Sequence, residues 1–184
     1  MNTLKFEDNG TIFGDNTDGE GIVRDIVLNL GKPLAEANIL VIGAGGAVRG
    51  VLGPILEAGP RHVHIINRTP SKATALVEIF HKYGPCTAAG LDQPGKAYDL
   101  VINGTAASLH GTVPDLPASI FGKNALAYDM MYGSELTAFL AWSREHGAAQ
   151  LSDGLGMLVE QAAESFRIWH GVRPQTGPVI KSLR

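Results

Sequence analysis

The sequence of 184 residues has few cysteines, no long apolar run and no cluster of basic residues, and each of these absences excludes a class of protein. Its single cysteine, Cys86, excludes an internal disulfide framework and fits a reducing compartment. No apolar run is long enough to span a bilayer, and the opening stretch MNTLKFEDNG lacks the apolar core of a signal peptide. The 15 basic residues form no cluster and are outnumbered by 18 acidic ones, which argues against a nucleic-acid partner. A cytoplasmic globular protein is therefore the default expectation.

Metal-ligand spacing is also absent from the sequence. His62 and His64 alternate along one apolar segment, whereas His81, His110 and His146 are scattered. Structural and catalytic metal sites need three or four ligands that converge on one point. We therefore predict no metal site.

Strand and helix patterns alternate along the chain. Asn-Gly at 9–10, between short apolar runs, predicts a hairpin. Strands are predicted at 39–42, 62–66, 87–89, 98–102 and 125–130, and helices after the stretch GDNTDG and at 47–58, 71–83, 135–146 and 155–170. This alternation predicts an α/β fold of the Rossmann type, with a doubly wound, mainly parallel sheet and helices on both faces.

A glycine-rich loop, Gly43-Ala44-Gly45-Gly46-Ala47, follows the first of the buried-type strands. Gly43 permits a tight turn, Gly45 lets the backbone approach a pyrophosphate, and the next helix would point its first N–H groups at the anion. A strand–helix turn without a ligand is the alternative, but the position between a strand and a helix favours a dinucleotide site. Val48 occupies the third glycine position, which predicts slightly wider packing of helix against strand.

The end of the second strand indicates which dinucleotide would bind. NAD-binding domains usually carry an acid there for the ribose 2′-OH, but this chain reads Asn67-Arg68-Thr69, with Lys72 after it. Arginine and lysine suit a 2′-phosphate, so the pattern favours NADP. The alternative is that Arg68 and Lys72 are solvated surface cations.

The acidic stretch GDNTDG precedes the first helix. Thr17 and Glu20 fit a capping box, which leaves Asp18 as the first helical residue with no capping role. The helix dipole favours the charged form of its carboxylate. Without further information, the local sequence therefore predicts a structural role for Asp18, in which its charge stabilises the N-terminus of the helix.

Together the stretches GDNTDG, VIGAGGAVRGV, INRT, YDMMYG and DGLGMLVEQAAESFRIWHGVRP resemble the shikimate dehydrogenase family over essentially the whole chain, and the last is the most specific. The resemblance implies reduction of 3-dehydroshikimate to shikimate with NADPH, in the chorismate pathway to aromatic amino acids. It implies a catalytic and substrate-binding role for Asp18, and substrate contacts for Asn2, Tyr132 and Gln161. The cofactor contacts it implies are Gly43, Ala44, Gly45, Gly46, Ala47, Asn67, Arg68, Thr69, Lys72, Asn103, Thr105, Met130 and Gly154.

The sequence departs from the family pattern in three places, and each departure predicts a difference in structure or activity. Lys72 replaces the usual arginine and loses its bidentate geometry, and Gly104 replaces the usual alanine, which is expected to loosen that turn. The family's N-terminal domain, with the serines that bind the substrate carboxylate and a catalytic lysine that would pair with Asp18, has no counterpart in this sequence. We therefore expect a hairpin and hinge at 1–17, an NADP-binding domain at 18–150, and C-terminal helices at 151–184 that would pack on the missing domain. The chain alone is expected to bind cofactor without turnover.

Other functions remain open at this point. A quinate-using relative fits the same motifs, and a non-catalytic NADP-binding module would also lack the lysine. A dinucleotide domain of the glutamyl-tRNA reductase type would share the glycine loop but not DGLGMLVEQA. Leu158, Phe166 and Trp169 of the last long helix are expected to pack, leaving an apolar face that is either exposed or covered by a partner chain, as in a homodimer.

Overall fold

The computed structural model describes residues 1–107 and 111–184, so His110 lies outside the described residues. A two-stranded antiparallel hairpin, β1 (Thr3–Phe6) and β2 (Ile12–Asp15), opens the chain as the Asn-Gly signal predicts. The remaining strands are β3 (Asn38–Ile42), β4 (His62–Ile66), β5 (Cys86–Ala89), β6 (Tyr98–Asn103), β7 (Phe121–Asp129) and β8 (Gln150–Ser152). The helices are α1 (Asp18–Arg24), continued by a π-helical turn (Asp25–Asn29), then α2 (Gly46–Glu57), α3 (Pro70–Phe80), α4 (Ala138–Glu145), α5 (Leu155–His170) and α6 (Gly177–Leu183).

Strands β3 to β8 form one sheet in the order β5-β4-β3-β6-β7-β8, and every neighbouring pair is parallel. The chain enters this sheet at the central strand β3 and adds β4 and β5 on one side of it. It then crosses to β6, on the other side of β3. The switch point therefore lies between β3 and β6, where the carboxyl ends of doubly wound strands open a crevice for ligands. The fold class predicted from sequence is confirmed.

Hydrophobic cores on both faces hold the sheet, as the continuous apolar runs of its strands predict. Ile39 and Val41 of β3 face the core that α1, α2 and α3 cover. Leu40 and Ile42 of the same strand face the opposite core, which includes Phe139 of α4. This alternation buries the central strand on both sides and fixes its register.

Helix α1 packs unusually close to its neighbours because it carries glycines at both contacts. A Cβ on Gly19 would lie 2.4 Å from the Pro54 ring of α2. A Cβ on Gly21 would lie 2.8 Å from both the Gln161 Cβ and the Met157 carbonyl of α5. The segment 151–184 thus packs on the helix that begins at Asp18, while the three-part division of the chain stays a prediction.

The structure corrects the predicted capping box. Thr17 is the N-cap residue of α1, but its side chain makes no capping hydrogen bond, and Glu20 lies 3.7 Å from the Arg24 guanidinium. The Thr17 hydroxyl instead bonds to residues that are remote in sequence. Local spacing predicted a helix start correctly and the partner of its hydroxyl wrongly.

Candidate functional site

A groove of about 740 Å³ opens at the carboxyl ends of β3, β4 and β6. The residues that follow β3 and β6 extend the hydrogen bonding of the sheet to the floor of the groove. The Gly43 N–H donates to Ile66 O (2.7 Å), and the Gly104 N–H donates to Ile42 O (2.9 Å). The groove is lined by most of the predicted cofactor residues, namely Gly43, Ala44, Gly45, Gly46, Ala47, Asn67, Arg68, Thr69, Lys72 and Thr105. Its volume is within the range of small-molecule and cofactor pockets.

The glycine turn lies at the start of α2 within this groove. Gly43 has φ +111°, which a side chain would strain, and a Cβ there would also lie 3.0 Å from Thr105 Cγ2. Cβ atoms added to Gly45 and Gly46 would meet nothing within 4 Å, so that side of the turn faces open space. Gly45 is the N-cap of the 12-residue α2 and contributes no capping side chain. The turn and the helix N-terminus together fit a pyrophosphate.

Two exposed cations, Arg68 and Lys72, line the groove beyond the end of β4. The loop that carries Arg68 is held by the Asn67 side chain, whose Nδ2 donates to Thr69 O (2.9 Å). Asn67 also continues the sheet, because its backbone N–H donates to Ala89 O of β5. Arg68 therefore projects from an anchored loop and Lys72 from the first turn of α3, with no acid at the strand end.

Val48 and Gly104 fit one another beneath the groove. Val48 is fully buried, and a Cβ on Gly104 would lie 2.3 Å from Val48 Cγ2 and 3.2 Å from Met130 Sδ. The valine therefore occupies the volume that an alanine at 104 would need. A glycine on the facing turn thus leaves room for Val48, and the wider packing of helix against strand stays a prediction.

Three predicted cofactor residues lie outside the groove lining. Asn103 is 1% exposed, accepts from the Thr105 hydroxyl (2.8 Å) and donates to Asp129 Oδ1 (3.0 Å), so it supports the turn from below. Met130 is buried, and Met131 lines the groove in its place. A Cβ on Gly154 would lie 2.3 Å from Met130 O, so that glycine permits close packing of two backbones. Their direct contacts with a cofactor stay predictions.

Three of the four predicted substrate residues lie together at the start of α1. Asn2 Nδ2 donates to Asp18 Oδ1 (2.8 Å) and to Gln161 Oε1 (3.3 Å). Thr17 and Ser165 complete the group, and we call Asn2, Thr17, Asp18, Gln161 and Ser165 the amide cluster. Side-chain hydrogen bonds within the cluster join the segment before β1 to the start of α1 and to α5.

Tyr132, the fourth predicted substrate residue, lies on the loop after β7. Half of it is exposed, and it lines a second pocket of about 450 Å³ with the other residues of 131–138 and Gly111. Met131 lines both pockets, so the Tyr132 loop borders the cofactor groove. Its substrate contact stays a prediction.

Buried charges connect α1 to the C-terminal segment. Glu160 of α5 is 1% exposed and accepts from Arg173 (2.7 Å), Thr176 (2.6 Å) and Asn29 (3.1 Å). Burial alone would raise the Glu160 pKa, but these hydrogen bonds and the Arg173 charge outweigh it, so the pKa is lowered. Arg173 also pairs with Glu164, and the network fixes the segment after α5 against that helix.

A second buried carboxylate, Asp25, has a different environment. It accepts from the Tyr128 hydroxyl (2.8 Å) and from Asn29 Nδ2 (3.0 Å), and a Cβ on Gly156 would lie 2.0 Å from its Oδ1. Burial raises the pKa of Asp25, and the hydrogen bonds from Asn29 and Tyr128 oppose that rise without cancelling it. Gly156 therefore gives the carboxylate room against the first turn of α5.

The two strand histidines hold a hydroxyl between them. His62 Nε2 lies 3.1 Å and His64 Nδ1 lies 2.8 Å from Thr87 Oγ1, and His64 Nε2 lies 3.0 Å from Gln93 O. Within 1–107 and 111–184, no three potential metal-ligating side chains group together. The absence of a metal site stays a prediction.

Sequence reasoning missed several side chains that shape these sites. Leu91 and Met131 line the groove, and Thr3 joins the amide cluster through Asn2 and Ser165. Ser165 lies four residues after Gln161, on the same face of α5, and that spacing was the available signal. Nothing local in the sequence indicated Leu91.

Family models and relatives both match this chain. The model described as Shikimate / quinate 5-dehydrogenase matches residues 25–112, and the Shikimate 5'-dehydrogenase C-terminal domain matches residues 154–184. The shikimate dehydrogenase (NADP(+)) of Thioalkalivibrio sulfidiphilus is 55% identical over 185 residues, which cover 100% of this chain and 68% of that protein. The chain thus spans about two thirds of the length of this relative.

Solved structures agree in fold. An Ael1 enzyme from Pseudomonas putida matches with a TM-score of 0.90 and 50% identity, over 98% of this chain and 66% of that one. Shikimate 5-dehydrogenase from Thermus thermophilus, in complex with NADP(H) and shikimate, matches with a TM-score of 0.78 and 33% identity, over 94% of this chain and 63% of that one. No helix in the described parts of the chain is long and apolar enough to cross a membrane.

Proposed function

Since this chain belongs to the shikimate dehydrogenase family, we propose that it is the NADP-binding part of an enzyme that reduces 3-dehydroshikimate to shikimate. One observation carries the proposal. The groove at the switch point has a glycine turn with an open helix N-terminus on one side and two cations on the other. These are the groups that a dinucleotide with an extra 2′-phosphate requires.

The choice of NADP over NAD rests on the loop after β4. Arg68 offers planar paired donors and Lys72 a point charge, whereas an acid at this strand end would repel a phosphate. Charge-assisted hydrogen bonds of this kind contribute about 1.5–3 kcal/mol each. The chain should therefore bind NADP at least about tenfold more tightly than NAD.

Calorimetric titration of the purified chain with each cofactor tests this selectivity. The variant Arg68→Ala should lose most of the preference for NADP while its NAD affinity stays close to that of the unmodified chain. Arg61→Ala is the matched control, because Arg61 is exposed and lies outside the groove lining.

Two results would contradict the assignment in different ways. Equal affinity for the two cofactors would contradict the 2′-phosphate site, while the assignment of the groove to a dinucleotide would still hold. If neither cofactor binds, the assignment of the groove to a dinucleotide is itself contradicted.

The substrate side of the proposal rests on the amide cluster. Bound NADPH would supply a hydride to the substrate carbonyl. Asp18, held by Asn2 Nδ2 at 2.8 Å, is suited to exchange a proton with the oxygen of that group, while Asn2 and Gln161 orient the ring hydroxyls. The family resemblance assigns the second proton-handling group, a lysine, to a part of the enzyme outside this sequence.

We infer a cytoplasmic location from the biosynthetic role. A homodimer is likewise a proposal, supported by apolar side chains that stay partly exposed on α5 and the hairpin, such as Trp169 (48%) and Phe6 (75%).

A further inference from the structure

Thr17 occupies the centre of the amide cluster. It is 1% exposed, and its hydroxyl lies 3.1 Å from Asn2 Oδ1, 3.2 Å from Gln161 Oε1 and 3.2 Å from Ser165 Oγ. These partners come from the segment before β1 and from α5, so one buried hydroxyl connects two parts of the chain that are remote in sequence.

Asn2 is oriented by these contacts. Its Oδ1 accepts from the Thr17 backbone N–H (3.0 Å), from the Thr17 hydroxyl (3.1 Å) and from the Thr3 hydroxyl (3.1 Å). The amide oxygen is therefore turned toward the buried hydroxyls. Its nitrogen is turned toward Asp18 Oδ1.

Gln161 is oriented in the same sense. Its Oε1 lies within hydrogen-bonding distance of both the Thr17 hydroxyl and Asn2 Nδ2, and its Nε2 donates to Leu158 O (3.0 Å). An amide oxygen only accepts and an amide nitrogen only donates, so reversal of either amide would place like groups together. The cluster thus selects one orientation for both amides.

The hydroxyl makes these contacts in place of a helix cap, since α1 has no side-chain capping bond at Thr17. We propose that Thr17 is a positioning residue of the substrate site, whose buried hydroxyl lies between the Asn2 and Gln161 amide oxygens and holds both side chains in place, so that Asp18 and the second N–H of Gln161 meet a polyhydroxylated carboxylate ligand. This inference rests on the proposed function, because the ligand is the ring of shikimate.

The test compares Thr17→Val, which keeps the shape and removes the hydroxyl, with Thr17→Ser, which keeps the hydroxyl. Nuclear magnetic resonance of the ¹⁵N-labelled 184-residue chain reports the side-chain NH₂ groups of Asn2 and Gln161 directly. We expect Thr17→Val to shift both pairs of resonances and Thr17→Ser to retain them. Shikimate, titrated in the presence of NADP, should bind about 3- to 10-fold more weakly to Thr17→Val, with NADP affinity unchanged.

Unchanged amide resonances in Thr17→Val, or equal shifts in Thr17→Val and Thr17→Ser, would overturn the proposal. If Thr17→Val does not fold, Ser165→Ala decides the question, because the Ser165 hydroxyl contacts Thr17 from α5 and its removal should shift the Gln161 resonances. Shikimate affinities that are equal for Thr17→Val and the unmodified sequence, each fused to the remaining third of a relative and with the amides shifted, would reject the cluster as a substrate site. Failure of NADP binding would reject the proposed function separately.

Discussion

Val48 and Gly104 illustrate how two departures from a common pattern can depend on each other. A valine takes the third glycine position of the phosphate-binding turn, and the facing turn carries a glycine without positive φ. Backbone conformation therefore does not require glycine at 104. The requirement comes from the Val48 methyl group, 2.3 Å from where a Cβ would stand.

We predict that Gly104→Ala destabilises the chain by about 1–3 kcal/mol, because Val48 is fully buried and cannot move away. In the double variant that also carries Val48→Ala, the loss of unfolding free energy should be clearly smaller than the sum of the losses in the two single variants. Denaturant unfolding of the four proteins measures this coupling.

Gly45→Ala is the control for that cycle, since its Cβ would meet nothing within 4 Å and its φ of −86° suits alanine. Its free energy of unfolding should stay within about 0.5 kcal/mol of the unmodified chain. Additive effects of Gly104→Ala and Val48→Ala would contradict the proposed contact.

At the scale of elements, helix α5 depends on the buried Glu160–Arg173 pair. We predict that Arg173→Met lowers the free energy of unfolding by about 1–3 kcal/mol at pH 7, because the buried Glu160 loses one of its two guanidinium partners and keeps Arg24, whose Nε lies 3.3 Å from Glu160 Oε2. The pKa of Glu160 is lowered in the folded state, so its contribution is present above the ordinary pKa of glutamate and is lost as pH falls through the folded value. The difference between variant and unmodified chain should therefore shrink below about pH 4.3.

Thermal or urea unfolding across this pH range provides the measurement. Arg61→Met is the control, since its partner Glu36 is exposed and the pair is 3.5 Å apart, so about 1 kcal/mol or less is expected. A deficit in Arg173→Met that is independent of pH would point to lost packing instead of lost charge pairing. Asp25, whose pKa is raised, acts in the opposite sense and favours the folded state as pH falls.

The sequence predicted elements with a strong pattern and missed those without one. Continuous apolar runs identified β3 and β6, which are buried on both faces. Strand β8 has only three residues, and α6 has no buried residue, so neither carries a readable period. Helix α4 begins at Ala138 and not at 135, because the Thr137 hydroxyl accepts from the Leu140 N–H and caps it there.

The site was predictable in parts for similar reasons. The glycine turn and the Arg68 loop are local signals, and the structure brings both to one groove. The amide cluster was accessible only through family resemblance, because Thr17 and Ser165 are 148 positions apart. A capping rule that considers four successive residues cannot anticipate such a partner.

At the scale of the whole molecule, we predict that this chain binds NADP and does not oxidise shikimate. The glycine turn and both cations of the groove belong to this chain, whereas Asn2 and Tyr132 are exposed and Asp18 is only half-buried. Holding a substrate in reactive geometry can supply about 7–11 kcal/mol of a barrier, and an open cluster cannot provide it. NADPH formation from shikimate and NADP, at high protein concentration, is the measurement.

A buffer control without protein sets the background for that assay. Shikimate-dependent turnover above it would contradict the prediction and mean that the chain contains a complete active site. Addition of the remaining third of a relative's length, as a fusion, should restore turnover if the proposed division of labour holds.

The β1–β2 hairpin stands apart from the six-stranded sheet, and every residue of β2 is exposed. An isolated pair of strands is marginal in water, so its order depends on a few tethers, among them Trp169 Nε1 donating to Leu4 O (2.8 Å) and the contact between Thr3 and Ser165. Such a unit opens locally at low cost while the central strands keep their amide protons. Each opening would carry Asn2 away from Asp18, so a ligand that bridges Asn2 and Gln161 would also slow hydrogen exchange along the whole hairpin.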